Sequence, residues 1–151
     1  MAKGDVIFRT SGLRELDKAL GELPEAVGRR VARAVLIEAG EPTAKVARSL
    51  VRIYRGDLRE SIDVSPNLAR SQRRELTGRS TTEVYIGPGQ NPQAITEEFG
   101  TFNQAPHPSM RPAWDQTQME VLARTGVLLG DAIIKAARRH ERKLAKRQKK
   151  G

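Results

Sequence analysis

A chain of 151 residues with 38% apolar side chains suits one globular domain that buries roughly two-thirds of its unfolded surface. Aromatics make up only 4%, so the core must rest on Leu, Val, Ile and Ala, and the lack of cysteine excludes disulfides, thiolate metal sites and cysteine nucleophiles. The net charge is +9, yet residues 138–151 hold eight Lys or Arg against one Glu, which leaves +2 for residues 1–137. Basicity is therefore a local device of the C-terminus. No apolar run approaches the ~18 residues of a membrane span, and the N-terminus lacks a signal-peptide pattern. The expectation is a soluble protein assembled in the cytoplasm, with no membrane partner.

In chain order, Val6-Ile7-Phe8 reads as a short strand before a Ser11-Gly12 break. Leu13, Leu16, Leu20 and Leu23 recur at helical spacing, with Ser11 as a cap. Pro24 opens a second helix whose apolar stripe is Val27, Val31, Val35, Val46, Leu50 and Ile53, with Pro42 expected to kink or split it near Ala39-Gly40. Leu58, Ile62 and Val64 follow the Gly56-Asp57 turn at even spacing and suggest a strand; Thr82, Val84 and Ile86 suggest another, closed by Gly87-Pro88-Gly89. The polar segment 65–80, carrying Arg70, Arg73, Arg74 and Arg79, exceeds the usual hairpin loop of about two to five residues and is either mobile or a binding element. Residues 93–99 fit a helix or a third strand, Ile95 and Phe99 on one face favouring the helix. From Pro112 to about Gln148 the pattern is helical, with Met119, Leu122, Leu129 and Ile133 as its buried stripe and Gly126 and Gly130 allowing close approach of a neighbour. Beyond Ala137 the apolar stripe fades into two cationic rows, one of Arg138, Arg142 and Lys146 and one of Arg139, Lys143, Arg147 and Lys150.

Catalytic chemistry finds few candidates. His107 lies between two prolines, His140 sits in a basic run, and neither belongs to a metal-ligand motif. Glu97 and Glu98 are adjacent and point apart on regular structure, and Gly87-Pro88-Gly89 lacks the Gly-Lys-Ser/Thr of a phosphate loop. The reading is a non-enzyme without metal or cofactor. The informative segment is Glu97-Glu98-Phe99-Gly100-Thr101 followed by Ala105 to Asp115, where Pro106, Pro108 and Pro112 restrict the backbone ahead of Trp114. Phe99 reads as buried before a glycine turn, and Glu98 is placed to pin the loop through Arg111. Trp114 is either a core anchor packed by Met110 and Pro112 or an interface hot spot. The basic tail either complements the helix dipole or meets phosphates or an acidic protein surface; without interleaved aromatics, any DNA contact would be nonspecific.

Three landmarks stand in order: Gly12-Leu13-Arg14-Glu15-Leu16, the strand-entry segment Gly56 to Ile62, and Glu98 to Thr101 leading to Pro108 to Trp114. Together they resemble the tail-completion, or neck, proteins of long-tailed phages, related to the lambdoid minor tail protein Z. The resemblance spans roughly residues 5–137 and implies a structural protein that forms a homo-oligomeric ring at the head–tail junction. Its implied partners are a head connector or stopper protein, a tail terminator or tail tube protein, and DNA in the channel.

The expected fold is α+β, a small, mainly antiparallel sheet packed against long N-terminal and C-terminal helices, with residues 1–137 as the domain and 138–151 as a basic helical extension. Glu98, Phe99, Thr101, His107, Arg111, Trp114, Arg70, Arg73 and Arg74 are the candidate subunit or partner contacts. Arg138, Arg139, Arg142, Lys143, Lys146 and Arg147 are the candidates for DNA or an acidic surface. A nonspecific nucleic-acid-binding protein acting through the tail is the alternative.

Overall fold

The computed structural model describes residues 14, 18, 20–21, 23–52, 57–68 and 82–148, without the side chains of Glu141, Leu144 and Arg147. The proposed strand Val6–Phe8, the arginines of segment 70–79, Ile53 and Lys150 lie outside the described residues. The ordered elements are α1 (Glu25–Leu50), α2 (Asp57–Ser61), β1 (Asp63–Ser65), β2 (Tyr85–Gly87), α3 (Gln93–Phe99) and α4 (Met110–Gln148). The architecture is α+β: a two-stranded antiparallel sheet lies on α1, and α1 packs against α4.

Helix α1 starts after Pro24, whose carbonyl accepts the N–H groups of Val27 and Gly28 at 2.8 and 3.0 Å. It runs 26 residues and continues through Pro42, so no split occurs at Ala39-Gly40. The carbonyl that Pro42 leaves without a helical donor is that of Glu38, an exposed residue, where water can replace the lost bond. The buried face is not the valine-rich stripe alone. It consists of Gly28, Val35, Ala39, Gly40, Thr43, Ala44 and Ala47, whereas Leu50 is exposed. Small side chains let the backbones of α1 and α4 come close, and α4 answers with Ala113, Thr117 and Ala136, with Ile133 the bulkier exception.

Between these helices Thr43 and Thr117 share a buried hydroxyl–hydroxyl bond of 2.7 Å. Thr117 donates its own proton to the carbonyl of Ala113 at 2.7 Å, so Thr43 is the donor across the interface. Among the described residues no buried side-chain polar atom lacks a partner.

The expected strand through Leu58 and Ile62 is instead the single helical turn α2, and strand structure begins at Asp63. A spacing of four satisfies both periods: Leu58 and Ile62 share a face of a strand and equally a face of a helix. The second strand is also shorter than expected, three residues from Tyr85, with Thr82 and Val84 outside it. Register pairs Asp63 with Gly87, Val64 with Ile86, and Ser65 with Tyr85. Val64 and Ile86 press on α1 at Gly40, where an added Cβ would stand 3.0 Å from Val64 Cγ1 and 3.2 Å from Ile86 Cδ1. Gly40 is therefore a docking place for the sheet rather than a break in the helix. Arg48 closes the same corner: its Nε donates to the Ile62 carbonyl at 2.9 Å, and its guanidinium lies 3.6 Å from Glu41 and 3.9 Å from Asp63.

Candidate functional site

After β2 the chain turns through Gly89, whose φ of 59° suits glycine, and the Asn91 side chain accepts the N–H of Gln93 at 3.0 Å to start α3. This short helix ends at Gly100, where φ is 76° and ψ is −178°. A Cβ there would sit 2.7 Å from the Gln104 carbonyl oxygen and 2.9 Å from Pro106 N. Only glycine fits both the dihedral and the space. Thr101 and Gln104 then close a tight turn by exchanging backbone bonds of 2.9 and 3.3 Å. Glu97 holds the returning strand of chain, its carbonyl accepting the His107 N–H at 2.7 Å and its carboxylate accepting from Gln104 Nε2 at 2.9 Å.

The other glutamate does more. Glu98 Oε2 accepts the N–H groups of Ser109 and Met110 at 2.7 and 3.0 Å, and Oε1 accepts that of Arg111 at 3.0 Å. A helix start leaves its first backbone donors without intrahelical partners. Here the accounting is complete: Glu98 takes those of Met110 and Arg111, Pro112 has none, and Ala113 donates to the Ser109 carbonyl at 3.2 Å. Glu98 is thus an N-terminal cap supplied from α3, with its charge on the positive end of the 39-residue helix α4. Burial pushes its carboxyl pKa up, but the three backbone donors and the nearby Arg111 charge outweigh that and hold it below the ordinary range. The sequence placed Glu98 against Arg111; the structure gives it the Arg111 backbone and two further donors.

This junction presents apolar side chains to solvent. Phe99, expected to be buried, is 67% exposed, because the Glu97 and Glu98 contacts turn the inner face of α3 toward the returning chain and leave Phe99 outside. Ile95, one turn earlier, is 68% exposed, and Phe102 at the tip of the turn is fully exposed. Trp114 is 47% exposed, so it is no core anchor. Sequence reasoning missed Ile95 and Phe102 as candidates. A signal existed for Phe102, since an aromatic set among Thr101, Asn103 and Gln104 in a turn has no core to enter. Thr101, His107 and Arg111 are exposed around the same junction.

The structure does not bring the second group of candidates to this place. Arg138, Arg139, Arg142, Lys143 and Lys146 are exposed near the far end of α4, where the helix also includes Arg147. Arg70, Arg73 and Arg74 lie outside the described residues. Among the described residues there is no cluster of His, Cys, Asp or Glu suited to a metal ion, and no helix long and apolar enough to cross a membrane.

Fold and junction together define an α+β module in which the polar contacts of the junction hold a helix start and Phe99 and Phe102 beside it face outward. A family model, HK97-gp10-like, described as "Bacteriophage HK97-gp10, putative tail-component", matches residues 14–89. The chain belongs to that family, and it is a structural component of a phage tail, hence of the virion. The matched residues run from the N-terminal landmark through α1, α2 and the sheet and end before Glu98. No curated protein and no solved structure matches the chain.

Proposed function

We propose that this tail component is a non-enzymatic ring protein of the head–tail junction, joining the tail tube to the head connector around the DNA channel. The observation that carries the reading is the braced junction between α3 and α4, which holds Phe99 and Phe102 in solvent on a backbone fixed by Glu97, Glu98 and Gly100. Rigid exposed aromatics cost little conformational entropy on docking and are enriched at interface hot spots. In this reading Phe99, Thr101, His107, Arg111 and Trp114 contact a neighbouring subunit, a connector or stopper protein, or a tail terminator or tube protein. Glu98 positions them. Assembly takes place in the host cytoplasm, and the product resides in the neck of the virion.

The exposed cations at the end of α4 favour a second role, nonspecific contact with DNA in the channel or with an acidic neighbour. Salt separates the two, because phosphate contact weakens steeply with ionic strength while apolar docking persists.

Electron microscopy of particles made without this gene tests the proposal. Separate DNA-filled heads and tails, joined again when the protein is supplied, are the expected result. Normally joined particles would overturn it.

A further inference from the structure

Helix α4 carries a second apolar stripe, on the side turned away from its own core. Met119, Val127 and Ile134 are 56%, 68% and 52% exposed, Ala123 is exposed, and Gly126 and Gly130 lie on the same stripe. Their spacing by three and four places them on one face about 22 Å long. A Cβ built on Gly126 meets no atom within 4 Å, so the space beside the helix there is open. Met119, expected in the buried stripe, is thus exposed, and the neighbour expected to approach closely at Gly126 is not supplied by the described residues of the same chain.

We infer that this face seats a second copy of the chain, with the two α4 helices antiparallel about a twofold axis passing between Gly126 and Val127. The stripe is complementary to itself under that operation. Met119 falls opposite the partner's Ile134, Ala123 opposite the partner's Gly130, and Val127 opposite the partner's Gly126. Large residues close the ends and small ones let the backbones approach at the centre.

The charges beside the stripe select the direction. Glu120, Arg124, Asp131 and Lys135 are exposed along one flank, alternating in sign. Antiparallel pairing sets a flank against the same flank of its partner. Within two positions of the apolar register, Glu120 then meets the partner's Lys135, and Arg124 meets the partner's Asp131. Glu120 and Arg124 already lie 3.8 Å apart along the helix, so the partner's charges extend that pair into an alternating row. Exposed ion pairs contribute little strength each, so the apolar stripe supplies affinity and the charges supply orientation. A cyclic ring uses two different surfaces of each subunit, whereas a twofold pair uses one surface twice. The pair is therefore a form of the free protein, distinct from the polar ring that the junction reading calls for, and either can fail alone.

The chain of 151 residues lacks cysteine, which makes cross-linking clean. Under mild oxidation Val127→Cys is expected to give a disulfide-linked dimer. Met119→Cys and Ile134→Cys should not link to themselves, but a mixture of the two should link to each other. Sedimentation equilibrium of the parent should show a monomer–dimer equilibrium. Val127→Glu, at an exposed site, should weaken it at least tenfold with helix content unchanged by circular dichroism. Lys135→Glu should weaken it several-fold, and adding Glu120→Lys should restore it. A parent that stays monomeric at millimolar concentration, self-linking of Met119→Cys, or association indifferent to Val127→Glu would each overturn the inference.

Discussion

Replacing Glu98 by alanine removes one side chain that serves three backbone donors, and its cost can be worked from the contacts. Loss of an ordinary helix N-cap costs about 1 kcal/mol, and charge-assisted bonds are roughly twice as strong as neutral ones. The carboxylate accepts at 2.7, 3.0 and 3.0 Å, but it is only half-buried, so water replaces part of what is lost. The net expectation is about 2 kcal/mol for Glu98→Ala, with Glu98→Gln intermediate because the amide keeps one acceptor and loses the charge. For a chain of this size that is a fall in Tm of about 4–8 °C at pH 7. The pH dependence follows from the lowered carboxyl pKa. A carboxylate held below its unfolded value contributes fully above that value, near pH 4.3, and the contribution is lost as pH falls through the lower folded value. Thermal denaturation of the parent and Glu98→Gln should therefore diverge at neutral pH and converge as the pH falls through the lowered folded value, where the parent's carboxylate protonates. A Glu98→Ala melting point within about 1 °C of the parent at pH 7, where the expected shift is several degrees, would refute the capping account. So would a gap between Gln variant and parent that persists unchanged in acid.

Gly100→Ala forces a Cβ to 2.7 Å from a carbonyl oxygen at a φ of 76°, and should cost about 3 kcal/mol, read by urea denaturation at constant m. Thr43→Val and Thr117→Val should each cost about 1–3 kcal/mol, since each breaks the buried hydroxyl pair, while the double variant should cost less than the sum of the singles. Phe99→Ser with Phe102→Ser should leave Tm within about 2 °C, because neither ring is buried, yet should fail to restore head–tail joining in particles lacking the gene.

The long helices were legible because their apolar residues recur every three or four positions, but the face each one buries was not. Hydrophobic stripes draw the eye to Val27, Val31 and Leu50 on α1 and to Met119 on α4. Where the two helices meet, the buried residues are instead largely Ala and Thr: Thr43, Ala44 and Ala47 on α1, Ala113 and Thr117 on α4. Such residues carry a weak hydropathy signal, and their value lies in letting two backbones approach. The same limit explains Gly40, read as a break and found beneath Val64 and Ile86. Phe99 misled for the opposite reason. Ile95 and Phe99 form the i, i+4 pair expected of a buried face, and only Glu97 and Glu98, bonding in the other direction, decide which face turns inward. That Glu98 matters was visible in the sequence. That it caps a helix starting twelve residues later was not, because ordinary capping signals act within a single turn.

The distribution of effort in this fold bears on what it is for. Among the described residues the largest fully buried side chains are Ile62 and Thr43, a small core for helices of 26 and 39 residues. Yet the start of α4 has its backbone donors accounted for, a glycine that no other residue can replace, and prolines that remove alternative paths. Stability alone does not require so exact a helix origin, since a frayed first turn costs about 1 kcal/mol. Fixing the origin fixes the direction of everything beyond it: the exposed rings of Phe99 and Phe102, the outward stripe from Met119 to Ile134, and the cations from Arg138 onward. If α4 is a lever set by Glu98, then Glu98→Gln should impair assembly more than a substitution of equal thermal cost in the core, such as Thr43→Val. Equal impairment of both, measured as joined particles at matched Tm, would reduce the junction to a stabilising contact and remove its claim to position partners.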